Sequence, residues 1–333
     1  MGKKKKVTIS SIAKELNVSA ISVSRALSNQ PGVSDELRKK IVAKAKELGY
    51  KKRKCNEKIN VLVLIKRRYV ADNSNFSYMV QGIENHIKKS GAEFTVEFIE
   101  PDKQKDLVLP YNLERNKDIN GVILLGKFDP EYVSFINSVV TSVLVFNGIS
   151  DKVVCDHVYY NFNRIGYQAA EYLIKKGHRK IGMVGSEGKY NQRFLGMCRA
   201  LDDYQVPLYE RYIIPTKEEL ADRLDELVKA NDLPTAFICR SDHLAFRLIK
   251  YLHEHGLSVP DDVSVIGSGN TDMAQIAIPA LTTFDLNIEF ACEVAVNTLL
   301  NHIMAEHNPS CTTYIDGFLV ERDSVRTIEE GAI

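Results

Sequence analysis

Residues 8–27 read TISSIAKELNVSAISVSRAL, and this stretch decides the fold of the amino-terminal part of the chain. Apolar residues recur at helical spacing in both halves, and a hydroxyl residue precedes each half as an expected helix cap, Thr8 in one case and Ser19 in the other. We predict two helices with a turn at residues 17–19 between them, the second helix covering 20–28. Two short helices joined in this way form a helix-turn-helix.

A third helix follows this motif. Ser34 is its expected cap, Asp35 and Glu36 fall in its first turn, where they complement the helix dipole, and Gly49 ends it. Together the three helices make a unit of about 45 residues, because none of them would be stable alone in water. The side chains expected in its core are Ile9, Ile12, Ala13, Leu16, Val23, Ala26, Leu27, Leu37, Ile41, Ala45 and Leu48.

Positive charge is concentrated in the same region. Residues 1–58 contain sixteen basic and five acidic side chains, whereas residues 59–333 contain 28 basic and 38 acidic ones. The formal charge of +1 for all 333 residues therefore combines a basic end with an acidic remainder. Lysine runs such as residues 3–6 are usually solvated tails, but beside a helix-turn-helix and the second basic run at 51–54 they indicate binding to DNA phosphates.

The exposed face of the second helix is expected to read base edges in the major groove. We assign Arg25 to a guanine, because its planar fork matches the N7 and O6 acceptors, and Ser22 to a base or a phosphate. Ala20 and Ile21 offer only apolar contact, for which the thymine methyl group is the obvious partner. The full set expected at the DNA is Thr8, Ser19, Ala20, Ile21, Ser22, Ser24, Arg25, Asn29, Lys52 and Arg53.

This segment resembles the headpiece of the lactose and galactose repressor (LacI/GalR) family. The resemblance rests on residues 18–27, on Ile12-Ala13 before them and on Gly49-Tyr50 after them. It implies that residues 20 and 21 occupy the most variable base-reading positions and that Arg25 is the arginine typical of the family.

From residue 59 onward, short apolar runs alternate with amphipathic segments, which is typical of βαβ units and parallel sheets. We predict strands over 59–65, 94–99, 121–125, 142–146, 180–184, 235–239 and 263–267, and helices over 76–90, 164–176, 192–204 and 241–255. Two doubly wound lobes accommodate these elements. In such sheets ligands bind outside the carboxyl ends of the strands, so the cleft between the lobes is the expected ligand site.

The family resemblance extends over this region and so covers nearly the whole chain. It rests on residues 177–181, Ser241-Asp242, 259–267, 281–283 and 321–325. It implies a periplasmic-binding-protein-like pair of lobes, with helix 287–305 and strand 312–315 returning to the first lobe and the tail after Gly317 rejoining the second. The expected domains are a headpiece over 1–50, a basic linker over 51–58, and an effector-binding and dimerisation domain over 59–333 with lobe 1 at about 59–160 and 287–317 and lobe 2 at about 161–286 and 318–333.

The resemblance also implies a set of effector contacts. Arg193 is the strongest candidate, because its five donors suit a sugar diol or a carboxylate. Taken alone, an Asn or Ser at a strand end more often caps a helix, and Phe76 and Met79 are equally suited to a core. The expected ligand-binding residues are Asn75, Phe76, Met79, Asn147, Tyr160, Asn161, Arg193, Ser241, Asn270 and Asp285.

The sequence departs from the family pattern in two places. Residues 267–270 read GSGN, where the family usually has a carboxylate that accepts sugar hydroxyls. Asn270 or Asp285 could take over that role, or the ligand could be acidic or phosphorylated. The linker at 51–58 also lacks the leucine that wedges into the minor groove, so we expect it to bind phosphates without kinking the DNA.

These features predict a DNA-binding transcriptional regulator of the repressor type, acting as a homodimer on a pseudo-palindromic operator and controlled by a carbohydrate-derived small molecule. Control by a protein partner, such as a phosphorylated phosphocarrier, is the alternative. We expect no enzyme activity, cofactor or metal, because no catalytic motif or Cys/His spacing occurs and the six cysteines are scattered, hence reduced and buried. Without a signal sequence or an apolar run of the ~18–20 residues that span a bilayer, the protein is expected to be cytoplasmic, with no membrane contact.

Overall fold

The structure is a computed structural model, and it describes residues 9–16, 18–27, 33–48, 58–67, 69, 75–116, 118–148, 152–186, 191–304 and 309–329. Within these residues the chain forms a small three-helix headpiece and two six-stranded sheets with helices packed on them. The predicted fold class, a helix-turn-helix unit followed by two doubly wound lobes, is confirmed.

The headpiece consists of three helices, α1 (Ile9–Leu16), α2 (Ala20–Leu27) and α3 (Asp35–Glu47). Its core contains the buried side chains of Ile12, Ala13, Val23, Ala26, Ile41 and Ala45, with Leu16, Leu27, Leu37 and Leu48 packed around them. The core predicted from helical spacing is thus confirmed, except that the side chain of Ile9 lies outside the described part of the chain. The amide of Leu37 donates to Ser34 Oγ at 3.4 Å, so the predicted cap of α3 is also confirmed.

The first half of the body alternates strands and helices. In chain order its elements are β1 (Asn60–Lys66), α4 (Phe76–Lys89), β2 (Glu93–Ile99), α5 (Pro101–Lys105), α6 (Tyr111–Arg115), β3 (Ile119–Leu125), α7 (Pro130–Val139), β4 (Val143–Phe146) and β5 (Asp156–Tyr160). Strands β1, β3 and β4 are almost fully buried, because helices cover both faces of this sheet.

The second half repeats this alternation and then returns to the first sheet. Its elements are α8 (Phe162–Lys175), β6 (Ile181–Val184), α9 (Gln192–Asp203), β7 (Ile213–Ile214), α10 (Leu220–Lys229), β8 (Ala236–Cys239), α11 (Asp242–Glu254), β9 (Ser264–Ser268), α12 (Asp272–Ile276), β10 (Thr282–Asp285), α13 (Ile288–Met304), β11 (Thr312–Ile315) and β12 (Phe318–Val320). A 3-10 turn at Glu210–Tyr212 precedes β7.

The two sheets define two lobes that the chain crosses three times. The strand order is β11-β5-β4-β3-β1-β2 in the first lobe and β12-β10-β9-β8-β6-β7 in the second. All neighbouring strands are parallel except β12, which runs antiparallel to β10. The crossings follow β5, β10 and β11, so each lobe is built from separate stretches of sequence.

Several elements of the second lobe were not predicted, among them β10 and α10. Strand β10 reads TTFD, and its Thr282 and Thr283 are buried although their hydroxyl groups make the segment look polar. Helix α10 buries Leu220, Leu224 and Leu227 at the spacing of a helix face, a signal that was present in the sequence.

The cysteines follow the prediction only in part. Cys155, Cys239 and Cys292 are buried free thiols, and Cys198 is partly buried. Cys311, just before β11, is exposed, which corrects the expectation that all six are buried. It lies next to β11, the edge strand of its sheet, which within the described ranges has a neighbouring strand on one side only. Cys55 lies outside the described residues.

Candidate functional site

The turn between α1 and α2 positions the helix expected to read DNA. The amide of Ser22 donates to Ser19 Oγ at 3.0 Å, so Ser19 caps α2 as predicted. The two hydroxyl groups also lie 2.9 Å apart, within hydrogen-bond distance. This leaves Ser19 and Ser22 side by side at the amino terminus of α2, the end that enters a major groove in helix-turn-helix proteins.

The other predicted DNA contacts are only partly described. The backbone of Ala20, Ile21, Ser24 and Arg25 lies in α2, while their side chains are not among the described parts of the structure. The remaining four predicted contacts, namely Thr8, Asn29, Lys52 and Arg53, lie outside the described residues, as does most of the linker at 51–58.

One headpiece residue that the sequence analysis did not single out holds α2 in place. The guanidinium of Arg38, on α3, donates through Nη1 to the carbonyl oxygen of Ala26 at 3.2 Å and through Nη2 to that of Val33 at 3.5 Å. Carbonyl groups near a helix end lack partners within the helix, so this arginine supplies a donor near the carboxyl end of α2. Arg38 therefore links α3 to the carboxyl end of α2 and to the segment that precedes α3.

Arg193 lies in the first turn of α9, after the carboxyl end of β6 in the second lobe. Asn191 caps this helix by accepting from the amides of Arg193 and Phe194. The guanidinium stacks on the ring of Phe162, with 3.6 Å from its carbon to the ring centre, and Nη2 donates to Ser268 Oγ at 3.4 Å. Its Nε is buried and has no acceptor among the described residues. Burial lowers the pKa of Arg193 to about 9, so the side chain remains charged at neutral pH.

Asn270 follows β9 and comes one residue after position 269, where the family usually has a carboxylate and this chain has a glycine. Its Nδ2 donates to Asp285 Oδ2 at 2.8 Å, and its Oδ1 accepts from Arg322 Nη2 at 2.7 Å. The second oxygen of Asp285 accepts from the amide of Asn287 at 2.6 Å. Both ends of the Asn270 amide are thus used within the second lobe, which argues against its substituting for the missing acid.

A buried carboxylate that the sequence analysis did not single out shapes the same loop. Asp242, the first residue of α11, is 1% exposed. One oxygen accepts from Thr283 Oγ1 at 2.5 Å, and the other accepts from the amide and the hydroxyl of Thr271 at 2.7 and 2.9 Å. Burial raises the pKa of Asp242, while the hydrogen bonds from both threonines oppose that rise. Asp242 thereby ties the loop after β9 to strand β10.

The first lobe reaches the second at residue 269. Gly269 has φ +136°, and a Cβ atom built there would lie 2.8 Å from Nδ2 of Asn75, at the start of α4. Asn75 makes no capping hydrogen bond, unlike Asn161 and Ser241, whose side chains accept from the amides at the starts of α8 and α11. Of these three predicted contacts, Asn75 is therefore the one whose side chain is not used as a cap.

Of four further predicted contacts in the first lobe, Asn147 and Tyr160 lie at the carboxyl ends of β4 and β5, and Phe76 and Met79 lie in the first turn of α4. Asn147, after β4, has φ +56°, and its buried Oδ1 has no partner among the described residues, while its Nδ2 faces Met79 Sδ at 3.7 Å. The hydroxyl of Tyr160 is likewise buried without a described partner, and burial raises its pKa. Met79 is 1% exposed and packs in the core. Phe76 stacks on Tyr69 at 4.3 Å.

A cavity of about 390 Å³ lies between α4 of the first lobe and the loops after β9 and β10 of the second. Of the predicted contacts, Asn270 and Asp285 line it, together with Tyr78, Gln81 and Asn85 from α4. The hydroxyl of Tyr78 donates to Asp272 at 3.4 Å across the two lobes. Arg193, Asn147 and Ser241 do not line this cavity. The predicted ligand contacts are therefore divided between it and the strand ends around Arg193.

Two sequence profiles match the chain. One is described as bacterial regulatory proteins, lacI family, and matches residues 8–52. The other is described as a periplasmic binding protein-like domain and matches residues 170–325. The first profile coincides with the headpiece, and the second falls on the lobes. The chain belongs to the lacI family. The family resemblance noted from the sequence is confirmed.

Curated relatives from this family match along nearly the whole chain. The probable HTH-type transcriptional repressor ExuR of Bacillus subtilis (strain 168) is 27% identical over 97% of this chain and 99% of its own length. The HTH-type transcriptional repressor PurR of Klebsiella pneumoniae (strain 342) is 28% identical over 96% of both chains. Like its relatives, this lacI-family chain is a DNA-binding transcriptional regulator and not an enzyme.

Solved structures share the same fold. The transcriptional regulator CelR in complex with cellobiose matches with a TM-score of 0.69 and 21% identity over 96% of this chain and 99% of that one. The Lac repressor dimer bound to operator and the anti-inducer ONPF matches with a TM-score of 0.70 and 20% identity over 97% and 100%. In the described parts of this lacI-family chain, no helix is both long and apolar enough to cross a membrane.

Proposed function

We propose that this protein is a repressor that binds a pseudo-palindromic operator as a homodimer, and that a carbohydrate-derived small molecule between its lobes sets the operator affinity. The observation that carries the proposal is the approach of Asn75 in the first lobe to Gly269 in the second. A ligand held by side chains of both lobes favours one relative arrangement of the lobes. Because the headpiece is joined to the first lobe, operator and ligand binding become linked.

Control by a small molecule is better supported than control by a protein partner. The CelR structure is described as a complex with cellobiose, and the Lac repressor structure as a complex with an anti-inducer. The region after β6 and the end of β4 also provide buried polar atoms that a small ligand would satisfy, namely Arg193 Nε and Asn147 Oδ1.

Exposed apolar side chains on the second lobe support the homodimer. Ile276 is 69% exposed and Ile278 is 81% exposed, and Phe246 lies on α11, which packs against α12. Burying such side chains between two copies removes apolar surface from water. The Lac repressor structure with the same fold is described as a dimer. Operator binding would take place in the bacterial cytoplasm.

Selection of DNA from a random-sequence library by the full-length protein tests the operator proposal. We expect enrichment of two inverted half-sites whose centres are one helical turn apart, because each copy presents one α2 to the major groove. Enrichment of a single unpaired half-site would contradict the homodimer, and no enrichment would contradict sequence-specific binding.

The substitution Arg25→Ala tests the assignment of that residue to a guanine. The variant should lose about 1–3 kcal/mol of operator binding and relax the preference at one base pair in each half-site. Arg199→Ala, an exposed arginine on α9, is the matched control and should bind the operator like the parent protein. Uniform weakening on all DNA sequences would instead assign Arg25 to a phosphate.

The linker at 51–58 is proposed to bind phosphates alone, because it lacks an apolar wedge. This predicts a steep decrease of operator affinity with salt and little bending of the DNA. A circular-permutation gel assay that shows a sharp central kink would contradict it.

A further inference from the structure

The guanidinium of Arg193 has no acidic partner among the described residues. Its polar contact is to a neutral hydroxyl, Ser268 Oγ, and its other neighbour is the ring of Phe162. The Nε donor is buried and unused within the same part of the chain. A partly buried charge is normally paired, because transfer from water is unfavourable unless an opposite charge or hydrogen bonds compensate.

Two carboxylates at strand ends and helix starts of the second lobe are committed to other partners. Asp242 uses both oxygens on Thr271 and Thr283. Asp285 uses one oxygen on Asn270 and the other on the amide of Asn287. Both acids thus hold the loops after β9 and β10, and neither forms an ion pair with Arg193.

The residue that follows the position of the missing family acid does not compensate either. Asn270 is neutral, and its amide is fixed between Asp285 and Arg322. Arg240, after β8, is close enough to Arg193 to contribute to lowering its pKa, after the larger effect of burial. No described acidic side chain therefore offsets the charge of Arg193.

The first lobe supplies amides instead of acids. Asn147 Oδ1 is a buried acceptor without a described donor, and Asn75 makes no capping hydrogen bond. An amide oxygen in this state suits a ligand hydroxyl, which can donate to it. The two lobes together thus present an acceptor for hydroxyl groups and a cation.

We propose that the effector is a hydroxylated anion, a sugar acid or a sugar phosphate, whose carboxylate or phosphate oxygens bind the guanidinium of Arg193. This inference rests on the proposed function and narrows the class of effector within it. The planar guanidinium donates two parallel hydrogen bonds to a carboxylate or phosphate, which gives a stronger and more directional contact than a hydroxyl does. A neutral sugar would leave the positive charge of Arg193 without a counter-charge.

Thermal unfolding of the full-length protein with matched pairs of ligands tests this proposal. The pairs are glucuronate with glucose, galacturonate with galactose, gluconate with glucitol, and glucose 6-phosphate with glucose, all at one pH and one ionic strength. We expect an anionic member to raise the melting temperature while its neutral partner at the same concentration does not. The uronate and gluconate arms report a carboxylate ligand, and the sugar-phosphate arm reports a phosphate ligand.

Calorimetric titration of an Arg193→Met variant with the stabilising anion identifies the residue that reads the charge. We expect its affinity to fall at least 100-fold, with a smaller loss in Arg193→Lys, which keeps the charge but not the planar fork. Arg199→Met, on the exposed side of the same helix, is the matched control and should bind the anion like the parent protein.

The possible outcomes separate this inference from the proposed function. A neutral sugar that stabilises the protein as well as its anionic partner overturns the anion proposal and leaves small-molecule control standing. Equal losses of neutral and anionic ligands in Arg193→Met also overturn it, because the residue would then not read charge. If no member of the panel shifts the melting temperature while operator binding persists, both the anion proposal and control by a carbohydrate fall.

Discussion

The headpiece and the second lobe each contain a partly buried arginine, and the two arginines differ in the hydrogen-bond acceptors that the chain provides for them. Arg38 donates to two main-chain carbonyl groups, those of Ala26 and Val33. Arg193 has one neutral hydroxyl partner and an Nε without a described acceptor. The chain therefore provides main-chain acceptors for the guanidinium of Arg38, whereas it leaves a buried donor of Arg193 without a described acceptor.

The presence or absence of hydrogen-bond partners within the chain distinguishes polar groups that stabilise the fold from polar groups that are available to bind a ligand. Asp242 and His178 belong with Arg38, because each is buried with hydrogen-bond partners from its own chain. Asn147 belongs with Arg193, because its buried oxygen has no described partner. Buried polar groups with partners in the chain should be needed for stability, whereas buried polar groups without described partners should be needed for ligand binding.

The largest expected effect on stability comes from removing a buried polar group that has hydrogen-bond partners in the chain. Asp242→Ala leaves the hydroxyl groups of Thr283 and Thr271 and one amide without their acceptor. We expect the free energy of unfolding to fall by about 3–5 kcal/mol, the usual result of removing one partner of a buried charged hydrogen-bond network. Chemical denaturation measures the change, and the exposed Asp202→Ala on α9 is the control. Equal denaturation midpoints for the two variants would show that Asp242 is not needed for stability.

Acid should weaken the second lobe through His178. This residue is fully buried, its Nε2 donates to the carbonyl of Arg326 at 3.1 Å, and burial lowers its pKa to about 4. The unfolded chain takes up a proton below about pH 6.5, whereas the folded chain does so only near pH 4. Stability should therefore be lost as the pH falls between these values, by about 3 kcal/mol in total.

Comparison of variants isolates this contribution from other titrating groups. His178→Gln should flatten the decrease in denaturation midpoint between pH 6.5 and 4.5, and the exposed His253→Gln should not. A parallel decrease in all three proteins would show that His178 does not govern the acid response.

An added methyl group at residue 269 should disturb the meeting point of the lobes. Gly269→Ala strains a backbone with φ +136° and brings the new Cβ to 2.8 Å from Asn75 Nδ2. We expect a loss of about 2 kcal/mol together with weaker effector binding. Gly256→Ala has a similarly unfavourable φ of +73° but open space around it, so it should lose about 1 kcal/mol and bind the effector normally. Equal effector affinities for the two variants would argue against closure at this point.

The smallest expected changes in stability come from replacing the two arginines, and these changes should have opposite signs. Arg38→Met should destabilise the headpiece by about 1–2 kcal/mol, because carbonyl groups lose their donors. Arg193→Met should stabilise the protein without ligand by about 1–2 kcal/mol, because an unpaired, partly buried charge is replaced by an apolar chain of similar length. Melting temperatures in the absence of effector measure both, and a loss of stability in both variants would erase the distinction.

The sequence predicts the helices and most of the sheets because those features depend on local pattern. Helical spacing identified the headpiece core, and apolar runs identified strands such as β1 and β8. Strand β10 escaped because its buried threonines are satisfied by distant partners, Asp242 for Thr283 among them. A polar residue that is buried through a long-range hydrogen bond carries no local signal of burial.

The effector contacts show the same limit. From the sequence, Arg193 is the strongest candidate and Asn270 a possible substitute for the missing acid. Sequence reasoning could not foresee that Arg322, 52 residues further on, occupies the oxygen of Asn270 while nothing described occupies Arg193 Nε. A side chain is available to a ligand only if other residues of the fold do not already use its hydrogen-bonding groups. Those residues can be distant in the sequence, so they are known only from the three-dimensional structure.

The crossings between the lobes have a consequence for biosynthesis. The edge strand β11 joins the first sheet and β12 joins the second, and both come from the last part of the described chain. A nascent polypeptide emerging from the ribosome therefore carries two incomplete sheets until residue 320 has been translated. Premature termination upstream of residue 312 would expose strand edges on both lobes at once, which makes such fragments candidates for aggregation or proteolytic clearance.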